Sequence, residues 1–265
     1  MRFKFQRKYL CIPYFLFLIL FVVIPIFFIV FYAFTDGSGH FSGNAFIEFF
    51  TTTNKLNVLL TSLLFSTINT IICLLIGYPV AYILANKKYN SNYVLVLLFI
   101  MPMWINFVLR TGATRDVLTW LNINGGNAPY TATMIGLVYN YLPFVILPLY
   151  TTMLKLDQSQ IEAAMDLGCN RRQVFTKSII PQTIPGIVSA AQMVFMPTMS
   201  SYVIPETLSE GKIILFGNSI YLGFANSQWD TSSFMAIVML VIIGVTMLVT
   251  RKFSEKDEGG KASAW

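Results

Sequence analysis

From Tyr9 to Phe34 the chain carries no charged residue. A run of that length is hard to place anywhere but in a bilayer, whose hydrocarbon core takes about 20 apolar residues per helix. Inside lipid the backbone satisfies its polar groups only as a helix or a closed barrel. The basic residues Arg2, Lys4, Arg7 and Lys8 ahead of the run also suit a secretory signal. The apolar region of a signal is roughly 7–15 residues long, however, and no small-x-small cleavage site follows Phe34. The run is therefore read as an uncleaved first span. Five further apolar stretches lie near 57–85, 92–110, 131–154, 183–205 and 232–250. Composition agrees: 55% of residues are hydrophobic and 11% charged, against about 25% charged in ordinary soluble domains. A secreted globule, a disordered regulator and a cytosolic enzyme are all excluded. The expected fold class is an all-α membrane protein with six transmembrane helices.

Basic residues set the expected orientation, because cytoplasmic loops are enriched in Lys and Arg. With the N-terminus cytoplasmic, Arg2, Lys4, Arg7, Lys8, Lys87, Lys88, Lys155, Arg171, Arg172, Lys177, Arg251, Lys252, Lys256 and Lys261 lie inside. Only Lys55, Arg110, Arg115 and Lys212 lie outside. Both termini are thus expected in the cytoplasm: an N-terminal segment 1–8, a membrane domain 9–250 and a polar, disordered tail 251–265. The net charge of +6 is then a topology signal and calls for no nucleic acid.

Little else supports catalysis. Cys11, Cys73 and Cys169 form no C-x-x-C pair, and His40 is the one histidine. No metal site, triad or other catalytic cluster is expected, and no cofactor in this chain. Pro25, Pro79, Pro102, Pro143, Pro148, Pro185 and Pro197 fall within spans, where kinks suit a transport pathway. Asn69, Asn106 and Asn140 are in-membrane polar groups able to join helices.

The segment from Lys155 to Gly186, KLDQSQIEAAMDLGCNRRQVFTKSIIPQTIPG, is the longest inner loop and reads as two short helices. Ser159 and Glu162 have capping-box spacing. Ile161, Ala164, Met165 and Gly168 share one helical face, and Gly168 accepts the left-handed backbone that ends a helix. Asn170 and Gln173 suggest a second cap. Val174, Phe175 and Ile179 form the apolar side of the second helix, and Pro181 stops it. A short helix showing Ala163, Ala164 and Gly168 offers a shallow surface that a partner's groove can seat.

Glu162-Ala163-Ala164, then Gly168, then Ile180-Pro181, resembles the EAA loop of permease subunits of type I ABC importers. The blocks Met101–Thr111, Tyr139–Phe144, Pro197–Leu208 and Asn218–Ile220 are similar to spermidine/putrescine permeases of that family. The resemblance runs from about Pro79 to the end of the sixth span. It implies a type I permease fold in a bacterial plasma (inner) membrane, with 155–182 as the coupling loop. The residues implied to couple to the ATPase are Glu162, Ala163, Ala164, Gly168, Ile180 and Pro181. The chain has no G-x-x-x-x-G-K-[ST] phosphate loop, so ATP and magnesium are expected on a partner ATPase dimer. A second, homologous permease subunit and an external substrate-binding protein complete the implied assembly.

Polyamines are flexible polycations that seek carboxylates and aromatic faces. Candidates along the solute route are Glu206, Trp104, Tyr139, Tyr202 and Asp116. The alternatives are a permease of the same kind for another small solute, or an ion-coupled secondary carrier. The carrier reading predicts an acid or histidine deep in a span, and no clear mid-span acid is found.

Overall fold

Thirteen α-helices account for most of the described residues, which in the computed structural model are 11–36, 40–86 and 94–262. Segment 1–8 and the charges Lys87 and Lys88 lie outside them. Among the described residues the only β pairing is the isolated bridge between Thr35 and Phe41. Five helices are long and apolar enough to cross a membrane: Pro13–Ala33, Thr53–Ala85, Pro129–Met153, Arg171–Ser200 and Trp229–Thr250. A sixth crossing is made if Val94–Trp104 and Phe107–Trp120 count as one span; the two meet at 97°.

The described residues fall into two compact units. The first comprises those up to Asn57 with Ser219–Val241. Its long N-terminal segment runs through α1 (Cys11–Leu18), a π turn (Ile19–Val23) and α2 (Ile24–Ala33). Most of its side chains are exposed, as suits a helix whose solvent is lipid. In α3 (Asn44–Thr51), Phe46, Phe49 and Phe50 gather around Phe234 at centroid distances of 5.6, 5.5 and 6.5 Å. Glu48 on the polar side of α3 accepts from Lys55 Nζ at 2.7 Å and from the Thr231 hydroxyl at 2.9 Å. The Lys55 bond holds the Glu48 carboxyl below its usual range; partial burial opposes it and Thr231 assists.

The second unit comprises Val58–Asn218 with the residues from Ile242 onward. Its helices are the body of α4 (Thr53–Ala85), α5 (Val94–Ile100), α6 (Phe107–Trp120), α7 (Pro129–Met153), α8 (Gln158–Asp166), α9 (Arg171–Val174), α10 (Ile180–Ser200) and α11 (Val203–Leu208). The remaining helices are α12 (Phe216–Ala225) and α13 (Trp229–Ala262). Between Phe65 and Leu84, most of the buried face of α4 is small or polar: Ser66, Asn69, Cys73, Gly77 and Ala81 recur at helical spacing, after Ser62. Membrane helices approach closely along such faces, since lipid supplies no hydrophobic drive to join them. At Gly77 a Cβ would sit 2.7 Å from Val145 Cγ1 of α7, so only glycine permits this approach. Asn69 Nδ2 donates to Thr198 Oγ1 at 2.8 Å, joining α4 to α10. Tyr141 donates to the Pro197 carbonyl at 3.1 Å, joining α7 to α10. Gln192 of α10 also bonds Thr250 of α13.

Four expectations change here. The third span, placed at 92–110, is not one straight helix: a 3-10 turn (Met101–Trp104) follows α5, and the chain breaks before α6. Asn106 is not interhelical glue; its side chain caps α6, accepting from the Val108 and Leu109 amides at 2.9 and 3.3 Å. The fifth span ends at Ser200, because Ser201 turns extended, and Pro205 belongs to α11. The tail expected to be disordered continues α13 to Ala262; its lysines and glutamates are good helix formers.

Candidate coupling surface and solute route

Helix α8 is capped by Asp157, not by Ser159. A carboxylate two residues upstream is the stronger acceptor: Asp157 Oδ1 accepts from the Ser159 amide at 3.0 Å and from its hydroxyl at 2.6 Å. Gln160 Nε2 donates to Oδ2 at 3.2 Å. The Ser159 hydroxyl bond is the main reason that the Asp157 carboxyl lies below its usual range. Occupied by Asp157, Ser159 forms no box with Glu162, whose side chain is left on the exposed face. The Asp157 amide in turn donates to Gln182 Oε1 of α10 at 3.1 Å.

At its other end α8 closes as the sequence suggests. Gly168 has φ +80°. Its amide donates to the Met165 carbonyl at 2.9 Å, and the Cys169 amide to that of Ala164 at 3.1 Å. Those two bonds make a Schellman motif. Asn170 and Gln173 then form the expected reciprocal box, both bonds being 2.9 Å. The second helix does not stop at Pro181. It passes through a π turn (Phe175–Ile179) into α10, the Ile180 amide bonding the Phe175 carbonyl. Proline lacks an amide to give, and the wider turn just before Pro181 accommodates the missing bond.

Ile161, Val174 and Ile179 are buried together, with Ala164, Cys169, Phe175, Tyr82 and Leu156 packed around them. Tyr78 and Tyr82 of α4 meet the Phe175 ring edge-on at 5.9 and 5.7 Å. This small core fixes one face of α8 to its own bundle. Of the predicted apolar face, Ile161 and Ala164 point inward, whereas Met165 is exposed. The outer face presents Glu162, Ala163, Met165, Asp166, Leu167 and Gly168. Leu167 is 85% exposed, an apolar knob beside a carboxylate that sequence reasoning missed. Its signal was its position at the helix end beside Gly168, where it faces away from the core. Pro181 is exposed and Ile180 half-buried.

The predicted route residues lie on four neighbouring elements. Trp104, 81% exposed, is on the 3-10 turn, Asp116 on α6, Tyr139 on α7, and Glu206 on α11, with Tyr202 at that helix's N-cap. Helix α11 packs against both α6 and α7, and the 3-10 turn also packs on α7. Glu206 is exposed and accepts from Asn218 Nδ2 at 2.8 Å. Asp116 pairs with Arg115 at 3.5 Å. A separate cavity of about 270 Å³ lies between α4, α10 and α13, lined by residues including Thr67, Ile71, Gln192, Phe195 and Thr246. Among its described lining residues there is none of the five predicted side chains and no carboxylate.

Arg110, expected as an external loop charge, is only 6% exposed. Its Nε donates to Asn140 Oδ1 at 2.8 Å, Nη1 to the Pro102 carbonyl at 2.7 Å and Nη2 to the Asn140 carbonyl at 3.4 Å. The guanidinium also lies 5.8 Å from the Tyr139 ring centroid. Asn140 thus joins helices, as Asn69 does.

Five or six helices long and apolar enough to cross a membrane, with a short helix that leaves one face exposed, suit a membrane transport component. Residues 77–257 match the family described as the inner membrane component of binding-protein-dependent transport systems. The chain belongs to that family, and so is a multi-pass transport component of the bacterial inner membrane. It is 36% identical over 268 aligned residues, 93% of each chain, to the spermidine/putrescine transport system permease protein PotB of Haemophilus influenzae. It is 34% identical to PotB of Escherichia coli, covering 72% of this chain and 75% of that one. Among solved structures, a bacterial ABC transporter that imports the acidic polysaccharide alginate superposes with TM-score 0.69 at 16% identity, over 94% of both chains. The same kind of alginate transporter bound to a periplasmic protein gives TM-score 0.71 at 14% identity, over 94% of this chain and 93% of that one. These two establish the fold alone.

Proposed function

We propose that this chain is the permease subunit of an ATP-driven importer for polyamines, spermidine and putrescine among them. The observation that carries the reading is its 36% identity to PotB over 93% of each chain. Both termini face the cytoplasm, as the distribution of Lys and Arg indicates. The chain pairs with a second, homologous permease, receives solute from an external binding protein, and couples to a pair of ATPase subunits that hold ATP and magnesium.

Helix α8 is the coupling element. Its inner face is fixed by the Ile161 core and both its ends are capped, so it moves as a rigid body with α10. Its outer face offers Glu162 to a basic group and Ala163 and Leu167 to an apolar groove on the ATPase. Closure of the ATPases on ATP draws the two coupling helices together and switches access from inside to outside. On the outer side, Glu206 and Asp116 attract a polycation, and Trp104, Tyr139 and Tyr202 offer aromatic faces to its ammonium groups. The reading is tested in cells lacking polyamine uptake that express the complete transporter. Accumulation of labelled spermidine or putrescine supports it; none, with the proteins present in the membrane, refutes the solute and calls for a screen of others.

A further inference from the structure

A buried charged side chain is costly unless its hydrogen-bonding groups are satisfied. Arg110 is 6% exposed and, among the described residues, bonds no carboxylate; the acceptors on its guanidinium are neutral. The placement of those acceptors explains the arrangement. Pro102 lies in the 3-10 turn that ends the first half of the broken third span, and its carbonyl accepts Arg110 Nη1 at 2.7 Å. Arg110 itself stands in the second half, α6, whose start is capped by Asn106. Asn140 lies on α7, offers both its side-chain and backbone oxygens to Arg110, and is itself held by an Nδ2 bond to the Gly136 carbonyl at 2.8 Å. One planar fork therefore bonds both halves of the break and the neighbouring helix, a task suited to a guanidinium and not to a point ammonium. The same group lies beside the ring of Tyr139.

We infer that Arg110 is a positioning residue of the solute route: it clamps the 97° bend of the broken span onto α7, and so fixes Trp104 and Tyr139 relative to each other. The clamp is a property of the fold; its effect on uptake rests on the polyamine reading. The test uses the complete reconstituted transporter, with Cys11, Cys73 and Cys169 replaced by Ser and spin labels placed at Leu98 and Val117, one exposed site on each side of the bend. The intact clamp gives one narrow distance distribution. Arg110→Gln and Asn140→Leu each broaden it, and the two combined broaden it no further than either alone. Arg110→Lys, whose single ammonium cannot bond the Pro102 carbonyl and Asn140 with one planar fork, broadens it partly. Spermidine uptake falls about tenfold in Arg110→Gln and by less in Arg110→Lys. A distribution in Arg110→Gln as narrow as in the intact transporter overturns the inference. Absence of spermidine uptake by the intact transporter overturns the polyamine reading instead, and leaves the distance result to decide the clamp.

Discussion

Gly168 sits at φ +80° with no atom within 4 Å of the place a Cβ would occupy. Its requirement for glycine is therefore one of backbone and not of space. Gly168→Ala should destabilise the end of α8 by about 1–2 kcal/mol, and Gly168→Asn by less, because Asn tolerates the left-handed region. Amide exchange at Cys169, whose bond closes the motif, reads the difference. A second prediction concerns Glu48, 52% exposed in its pair with Lys55. Its folded-state pKa is depressed, so its contribution is present above the ordinary carboxylate value and lost as pH falls through the lowered one. Exposed pairs contribute about 0–1 kcal/mol. Melting of the detergent-solubilised protein should therefore show a small deficit for Glu48→Gln at neutral pH that vanishes in acid below the lowered value. Short-range grammar made Gly168 and the Asn170–Gln173 box legible in the sequence. Asp157 was missed because the S-x-x-E pattern drew the cap to Ser159, while a carboxylate competes successfully for the same amide.

Elements were legible to the extent that hydropathy averages reveal them. The uncharged stretch after Tyr9 and the cores of α4, α7, α10 and α13 needed only length and composition. The break in the third span did not show, because its cause is two local events, Pro102 in a 3-10 turn and Asn106 starting a new helix, inside a stretch that stays apolar. Arg110 then read as a loop charge, since sequence alone does not reveal that three acceptors converge on it. Asn106→Ala should loosen the start of α6 by about 1 kcal/mol, seen as faster exchange of the Val108 and Leu109 amides. Asn69→Leu removes the bond to Thr198, and bonds of this kind between membrane helices average about 0.6 kcal/mol. Its melting temperature should fall only slightly, whereas Gly77→Leu, which drives a side chain into Val145, should impair assembly.

For the molecule as a whole, the motif spacing from Glu162 to Pro181 was the most informative feature, and the family match over residues 77–257 covers it. The solute route was the least legible. Its candidates were chosen by chemistry, and the structure distributes them over neighbouring elements without gathering them about a buried carboxylate. On the proposed pairing with a second permease, part of the pathway's wall lies on another chain, so one sequence contains only part of the pattern. The central claim is that α8 turns ATP hydrolysis into polyamine movement. It is tested most directly by ATP-dependent uptake of labelled spermidine in the complete transporter, comparing the intact chain with Glu162→Ala plus Gly168→Asp at equal membrane abundance. The account predicts uptake by the intact chain and none by the variant; unchanged uptake by the variant would contradict it.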